Sequence, residues 1–310
     1  MAIYNTTDLL TAIKKRGFIP TSQQTFTDTD ILRLATEELQ GNIMPWIVKY
    51  DQGYYAKKVA ITLVDGQHSY KIPDRAAFRK IKDLYVVTSD GDVITLPKIH
   101  STQTEFYGGS SPLPQAFYTE GDNIVLVPRV SSPTLNLEMV IFFRPNKLVA
   151  ASRVRTVSSF TSSTITINTS SAPSHMTTSV KYDVIDAESG NSTLLYDLTA
   201  TDITTDTITF SDTISGIKVG DEVVIAEETS YPQMPEELQT ILQEYVVMRL
   251  FQSHGDQQGV NNSLNRIAMM QEDVANMIED RVTGQATKLI NRNSLTRQHT
   301  YASGRTVVRG

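Results

Sequence analysis

Hydrophobic periodicity changes twice along this 310-residue chain, and that change constrains the fold more than any other feature. Near the N-terminus apolar residues recur at helical spacing. Through the middle they alternate or form short continuous runs, as in strands, and after Pro232 the helical spacing returns. A chain with helical period at both ends and strand period between them is α+β, with its two ends forming a helical frame.

Thr6, Thr7 and Asp8 open a short helix through Ile13. A second helix follows Phe26, where Thr27 or Asp28 can cap the first exposed N–H groups. Ile31, Ala35, Leu39, Ile43 and Ile47 recur every fourth residue with Leu34 alongside, and Pro45 is expected to bend or end this helix near Trp46. Residues 60–64, 80–87 and 93–96 read as strands. Asp-Gly at 90–91 turns one hairpin, and Glu120-Gly121-Asp122-Asn123 turns a second between 116–118 and 124–127. The run from Leu135 to Phe143 alternates and then becomes continuously apolar, as a central strand covered on both faces would.

Residues 151–228 differ. Eleven of the 16 residues from Thr156 to Ser171 are Ser or Thr, yet Thr164-Ile165-Thr166-Ile167 is echoed by Thr207-Ile208-Thr209-Phe210, and Tyr182-Asp183-Val184-Ile185 by Glu222-Val223-Val224-Ile225. Two weakly repeated β-units predict an all-β insert. The helical core with its β-hairpins then comprises 1–150 and 229–283. Pro235 suits a first helical position. The stripe Leu238, Ile241, Leu242, Tyr245, Val246, Leu250 breaks at His254-Gly255-Asp256. A further stripe, Val260, Leu264, Ile267, Gln271, Val274 and Ile278, predicts an antiparallel helical hairpin.

Past Gly284 the period fades into an extended basic arm, 284–310. From Arg281 onward six basic residues face no acid, whereas the first 280 residues hold 22 basic and 34 acidic residues, a balance of −12. Leu289, Ile290, Leu295, Tyr301, Val307 and Val308 punctuate the arm. It reads as a docking arm or as a solvated terminus. An acidic body repels phosphate backbones, which argues against general DNA binding.

No catalytic constellation is visible. With no cysteine, thiolate chemistry and cysteine-held metals are excluded. His68, His100, His175, His254 and His299 are too scattered for a helical metal pair. There is no G-x-S-x-G elbow or P-loop. Gly108-Gly109-Ser110-Ser111-Pro112 reads as a flexible loop. Asp28-Thr29-Asp30 and Glu279-Asp280 lack the spacing of a calcium loop. No enzyme activity, metal or cofactor is expected. Trp46, Tyr50, Tyr54 and Tyr55 form an aromatic cluster that suits core packing or a subunit interface. No apolar run approaches the ~20 residues that span a bilayer, and Met1-Ala2-Ile3-Tyr4-Asn5 lacks the marks of a signal peptide. A chain made in a cytoplasm, without a membrane partner, is expected.

The order of these segments resembles the head–tail adaptor (connector) proteins of tailed bacteriophages. Phe26 to Ala35 resembles the family's opening helix. Tyr70 to Ala76, Leu84 to Val87, Pro114 to Pro128 and Phe143 to Val149 resemble its β segments. Met234 to Leu238 and Ala286 to Leu295 resemble its C-terminal part. The resemblance implies a virion protein of the head–tail junction, forming a ring, typically dodecameric, beneath the portal protein. That ring would extend the DNA channel, let genomic DNA pass without specific binding, and offer a platform to a tail tube or nozzle protein. Lys288, Leu289, Ile290, Arg292, Leu295, Arg297 and Arg305 would be the arm's contacts to portal or a neighbouring copy. The rival reading is a tail appendage whose β-rich middle binds a receptor or carbohydrate.

Overall fold

The computed structural model describes residues 4–19, 25–88, 91–131, 136–168, 174–188 and 192–278. Helix α1 (Thr6–Arg16) starts at Thr6, as the sequence suggests, and ends three residues beyond Ile13. Asn5 is the cap, accepting from the N–H groups of Thr7 and Asp8 while Asp8 accepts from Asn5 N–H. Helix α2 (Asp28–Glu38) is capped by Thr27, with Asp30 completing the reciprocal pair.

Pro45 does not end the helix at Trp46. A single π turn, Leu39–Ile43, precedes it, Met44 N–H donates to the Leu39 carbonyl, and α3 (Met44–Tyr50) continues past Trp46. Proline lacks an N–H, and in a regular helix its ring would collide with the carbonyl four residues back. One wide turn removes both conflicts.

Ten strands follow within the described residues: β1 (Ala56–Thr62), β2 (Ser69–Lys71), β3 (Ala76–Val87), β4 (Val93–Thr95), β5 (Ser110–Ser111), β6 (Ala116–Glu120), β7 (Asn123–Val127), β8 (Arg129–Val130), β9 (Asn136–Phe143) and β10 (Lys147–Leu148). An antiparallel sheet has the order β1-β9-β3-β4, and a smaller one β2-β7-β6. Along β9, Leu137, Met139, Ile141 and Phe143 enter a core shared with Tyr70, Ile72, Ile124 and Leu126 of the smaller sheet. Phe142 enters the helical core with Ile31, Leu39, Ile47 and Leu242. The four-stranded sheet is therefore the middle of three layers, which is why β9 is continuously apolar from Met139 to Phe143. The glycine-rich segment at 108–112 is not simply a loop, since β5 pairs in parallel with β8.

The Ser/Thr-rich region supplies β11 (Arg155–Phe160), β12 (Thr164–Ile167), β13 (Lys181–Ile185), β14 (Thr193–Ile203), β15 (Thr207–Phe210) and β16 (Glu222–Ile225). They close into a barrel of order β11-β12-β15-β14-β13-β16. The echoed segments are neighbours: β12 pairs with β15 and β13 with β16. Exchanging the unit β11-β12-β13 with β14-β15-β16 reproduces every pairing, so the barrel is a pseudo-two-fold pair of three-stranded units. Ile165, Ile208, Tyr182, Val184 and Val223 fill its interior, and the threonines between them face outward. Strand β17 (Glu228–Thr229) then pairs in parallel with β10, so the chain enters and leaves the barrel region side by side.

After a 3₁₀ turn at Glu236–Leu238, α4 (Gln239–His254) packs on α1 and α2 and ends at Gly255, whose φ is 73°. Helix α5 (Gln257–Ile278) runs back along it, with Arg266 reaching Glu244 at 3.2 Å and Gln271 reaching Tyr245 Oη at 2.9 Å. Leu264 is not part of the packed stripe: it is 47% exposed, and Ser263 is fully buried in its place. A serine there lets the two backbones approach more closely than a leucine would.

Candidate functional site

Barrel and body meet at a buried polar joint. Its centre is Asp183 on β13, with no exposure, opposite Arg75 in the turn that leads into β3. That turn is set by Pro73, whose carbonyl accepts from Ala76 N–H. Arg75 Nη2 donates to Asp183 Oδ2 and, at 3.0 Å, to Asn146 Oδ1. Asn146, between β9 and β10, donates through Nδ2 to Asp183 Oδ2 at 2.8 Å and to the Glu228 carbonyl at 3.0 Å. Gln233 extends the network by accepting from Asn146 N–H at 2.6 Å and donating to Thr193 Oγ1 at 2.8 Å.

Two backbone N–H groups complete the shell of Asp183: Asp197 N–H reaches Oδ1 and Glu227 N–H reaches Oδ2, both at 3.0 Å. Both residues have positive φ, 57° and 68°. Left-handed backbone is unfavourable for residues with a Cβ, and here it aims two donors at one buried carboxylate. A carboxylate so paired can be held inside a protein.

Beside the joint lies a cleft of about 380 Å³ whose walls include Tyr54, Tyr55, Lys57, Phe143, Thr193 and Gln233. Lys57 Nζ donates to the Thr193 carbonyl at 2.8 Å and stands over the rings of Tyr196 at 4.4 Å and Phe143 at 4.9 Å. Burial pulls its pKa down to about 8; nearby Arg75 pushes the same way and Asp183 opposes. Burial also raises the carboxyl of Asp197, against the attraction of Arg75.

The aromatic cluster resolves into two edge-to-face pairs, Trp46 with Tyr50 at 5.5 Å and Tyr54 with Tyr55 at 4.8 Å. Tyr55 is spent inside the fold, its hydroxyl donating to the Gln233 carbonyl at 2.7 Å, while Tyr54 is 37% exposed. The arm residues Lys288, Leu289, Ile290, Arg292, Leu295, Arg297 and Arg305 lie outside the described residues, as do Glu279 and Asp280. Of the histidines, His100 caps the 3₁₀ turn Ser101–Tyr107 and His254 packs edge-on against Phe26. Asp28 pairs with Lys14 at 2.5 Å, and Asp30 caps α2.

Sequence reasoning passed over the joint. Arg75, Asn146, Asp183 and Gln233 are isolated polar residues with no spacing rule. The signal that marks Asp183 is a lone acid in an apolar strand, Tyr182-Asp183-Val184-Ile185. Among the described residues no group of three or more His, Cys, Asp and Glu could hold a metal ion, and no helix is long and apolar enough to cross a membrane.

No curated protein matches the chain. A family model does, that of the SU10 adaptor protein, over residues 4–160. The matched half takes in α1 to α3, both sheets, Arg75, Asn146 and the first barrel strand, while Gln233, α4 and α5 lie beyond it. The chain belongs to the SU10 adaptor protein family and is a phage adaptor protein.

Proposed function

We propose that this chain is a structural subunit of the head–tail junction of a phage virion. A ring of copies, dodecameric in this reading, sits beneath the portal protein, lengthens the channel for genomic DNA and gives a tail tube or nozzle protein its platform. The observation that carries the proposal is the family match over residues 4–160, which takes in the N-terminal helices and the β-sheets of the body. The role is architectural rather than catalytic.

Two physical arguments support it. The first 280 residues are acidic. A channel that must release DNA gains from that charge, because each phosphate neutralised by Lys or Arg strengthens binding through counterion release. Rings also need a heterologous interface whose rotation closes, and the exposed side of Trp46, Tyr50 and Tyr54 offers aromatic anchors for one. In this reading the 151–228 barrel is a separable insert, and the basic arm of 284–310 docks on portal or on a neighbouring copy. Negative-stain microscopy of the purified protein, alone and with portal, tests the proposal. Rings seated on portal are expected. A trimeric particle that ignores portal sinks it and favours the tail-appendage reading.

A further inference from the structure

Asp183 engages only one nitrogen of Arg75. The arginine is 5% exposed, yet its Nε and Nη1 are buried with no hydrogen-bond acceptor among the described residues. Glu227 Oε1, 4.0 Å from Nη1, is beyond hydrogen-bond reach. Arg75 also lines a cavity of about 30 Å³, walled further by Arg144, Asn146, Lys147 and Glu227. Three cations thus line it against one carboxylate. Lys147 Nζ lies 3.4 Å from Glu227 Oε2, so those two offset each other. The Arg144 guanidinium has no partner among the described residues, and its backbone N–H is tied to the Arg75 carbonyl at 2.9 Å. Asn146 Nδ2 is committed to Asp183 and to the Glu228 carbonyl.

We propose that this cavity is a binding site for a small monovalent anion of chloride size. Buried guanidinium N–H groups require an acceptor. Asp183 balances Arg75 and Glu227 balances Lys147, so the unbalanced charge at the wall is that of Arg144, and an anion satisfies the donors better than a neutral acceptor does. At about 30 Å³ the cavity has room for an occupant the size of one or two water molecules, which favours a small anion over phosphate, sulfate or a nucleotide. The anion takes its bonds from Arg75 Nε and Nη1 and its remaining charge balance from Arg144. Arg75 is held by the barrel through Asp183, and Arg144 follows β9 of the body. The bound anion therefore braces the joint, and the barrel's seating depends on halide. The site is independent of the ring proposed above.

Chloride NMR of the full-length protein in sodium chloride tests this. A site in exchange broadens the chloride line beyond what the surface charge of the protein produces, and added bromide reverses the broadening. Arg75→Gln abolishes the excess. Arg144→Ala, which leaves the Asp183 network untouched, reduces it. In parallel, the wild-type melting temperature is higher in chloride than in gluconate at equal ionic strength, by roughly 2–4 °C at saturation, and the difference shrinks in Arg144→Ala. No excess broadening, broadening unchanged in Arg144→Ala, or equal melting in the two salts overturns the proposal and leaves a water molecule as the occupant.

Discussion

Single residues decide how the barrel is fixed to the body. Asp183 collects two side-chain donors and two backbone N–H groups at a position with no exposure. Removing one partner of such a pair strands the other, at a cost of about 3–5 kcal/mol. Arg75→Met or Asp183→Leu alone should lower the unfolding free energy by that order in urea. The double variant should lose less than the two losses added together, because neither charge is then stranded. Lys57 makes a second residue-scale prediction. Its folded pKa of about 8 lies below the ordinary lysine value. Between those two values the unfolded chain binds more protons, so stability rises with pH there. The window ends near pH 10, because buried tyrosines such as Tyr55, raised well above their usual value, favour the protonated folded state and lose that contribution at higher pH. Melting temperatures from pH 7.5 to 10 should climb in the wild type and stay flat in Lys57→Met. A wild-type profile as flat as the variant's would disprove the assignment.

At the level of elements, the helices depend on their ends and close approaches. Thr27→Ala removes the side chain that caps α2 and should destabilise the protein by about 1 kcal/mol in thermal unfolding. Gly259 opens the close contact between α4 and α5. A Cβ there would collide first with Asp256 Oδ2 and would also sit 2.8 Å from the Phe251 ring. Gly259→Ala must therefore displace the Asp256 carboxylate and shift α5 or the ring, at about 1–3 kcal/mol. The same variant should speed amide hydrogen exchange in α5 ahead of α4. Uniform exchange across both helices would mean that the turn does not hold them together. The ion pairs Arg16–Glu244 and Arg249–Glu38, at 2.7 and 2.6 Å, tie α1 and α2 to α4 around carboxylates that are almost wholly buried.

For the whole molecule, the parallel pairing of β10 with β17 brings the two crossings into the barrel side by side. Replacing residues 152–228 with a short Gly/Ser linker should leave a helix-rich protein that unfolds cooperatively, because the helical core and the two-sheet core contain almost no barrel residues. Gradual unfolding of that variant in circular dichroism would show that barrel and body share one cooperative unit. Truncation after Gly284 should leave the fold and its melting temperature unchanged while abolishing sedimentation with portal. Co-sedimentation at wild-type affinity would reduce the arm to a solvated terminus.

Local physics wrote much of this into the sequence. Apolar period alone located α2, α4 and the fully covered strand β9, and Gly-containing turns located the β3-β4 and β6-β7 hairpins. The Thr-Ile echo foretold an internally repeated β-unit, since inward and outward positions alternate within single strands. What depends on distant partners was not legible. The echo could not say that the repeats pair with each other and close a barrel. Leu264 looked like a core residue until packing against α4 turned Ser263 inward. Pro45 looked like a bend or an end near Trp46, yet with a π turn just before it the chain stays helical to Tyr50. The joint was the least visible feature. Arg75, Asn146, Asp183 and Gln233 lie up to 158 positions apart, and each is an ordinary polar residue until folding removes water from around it. Burial then makes a carboxylate seek every donor within reach, and only the tertiary structure decides which donors those are.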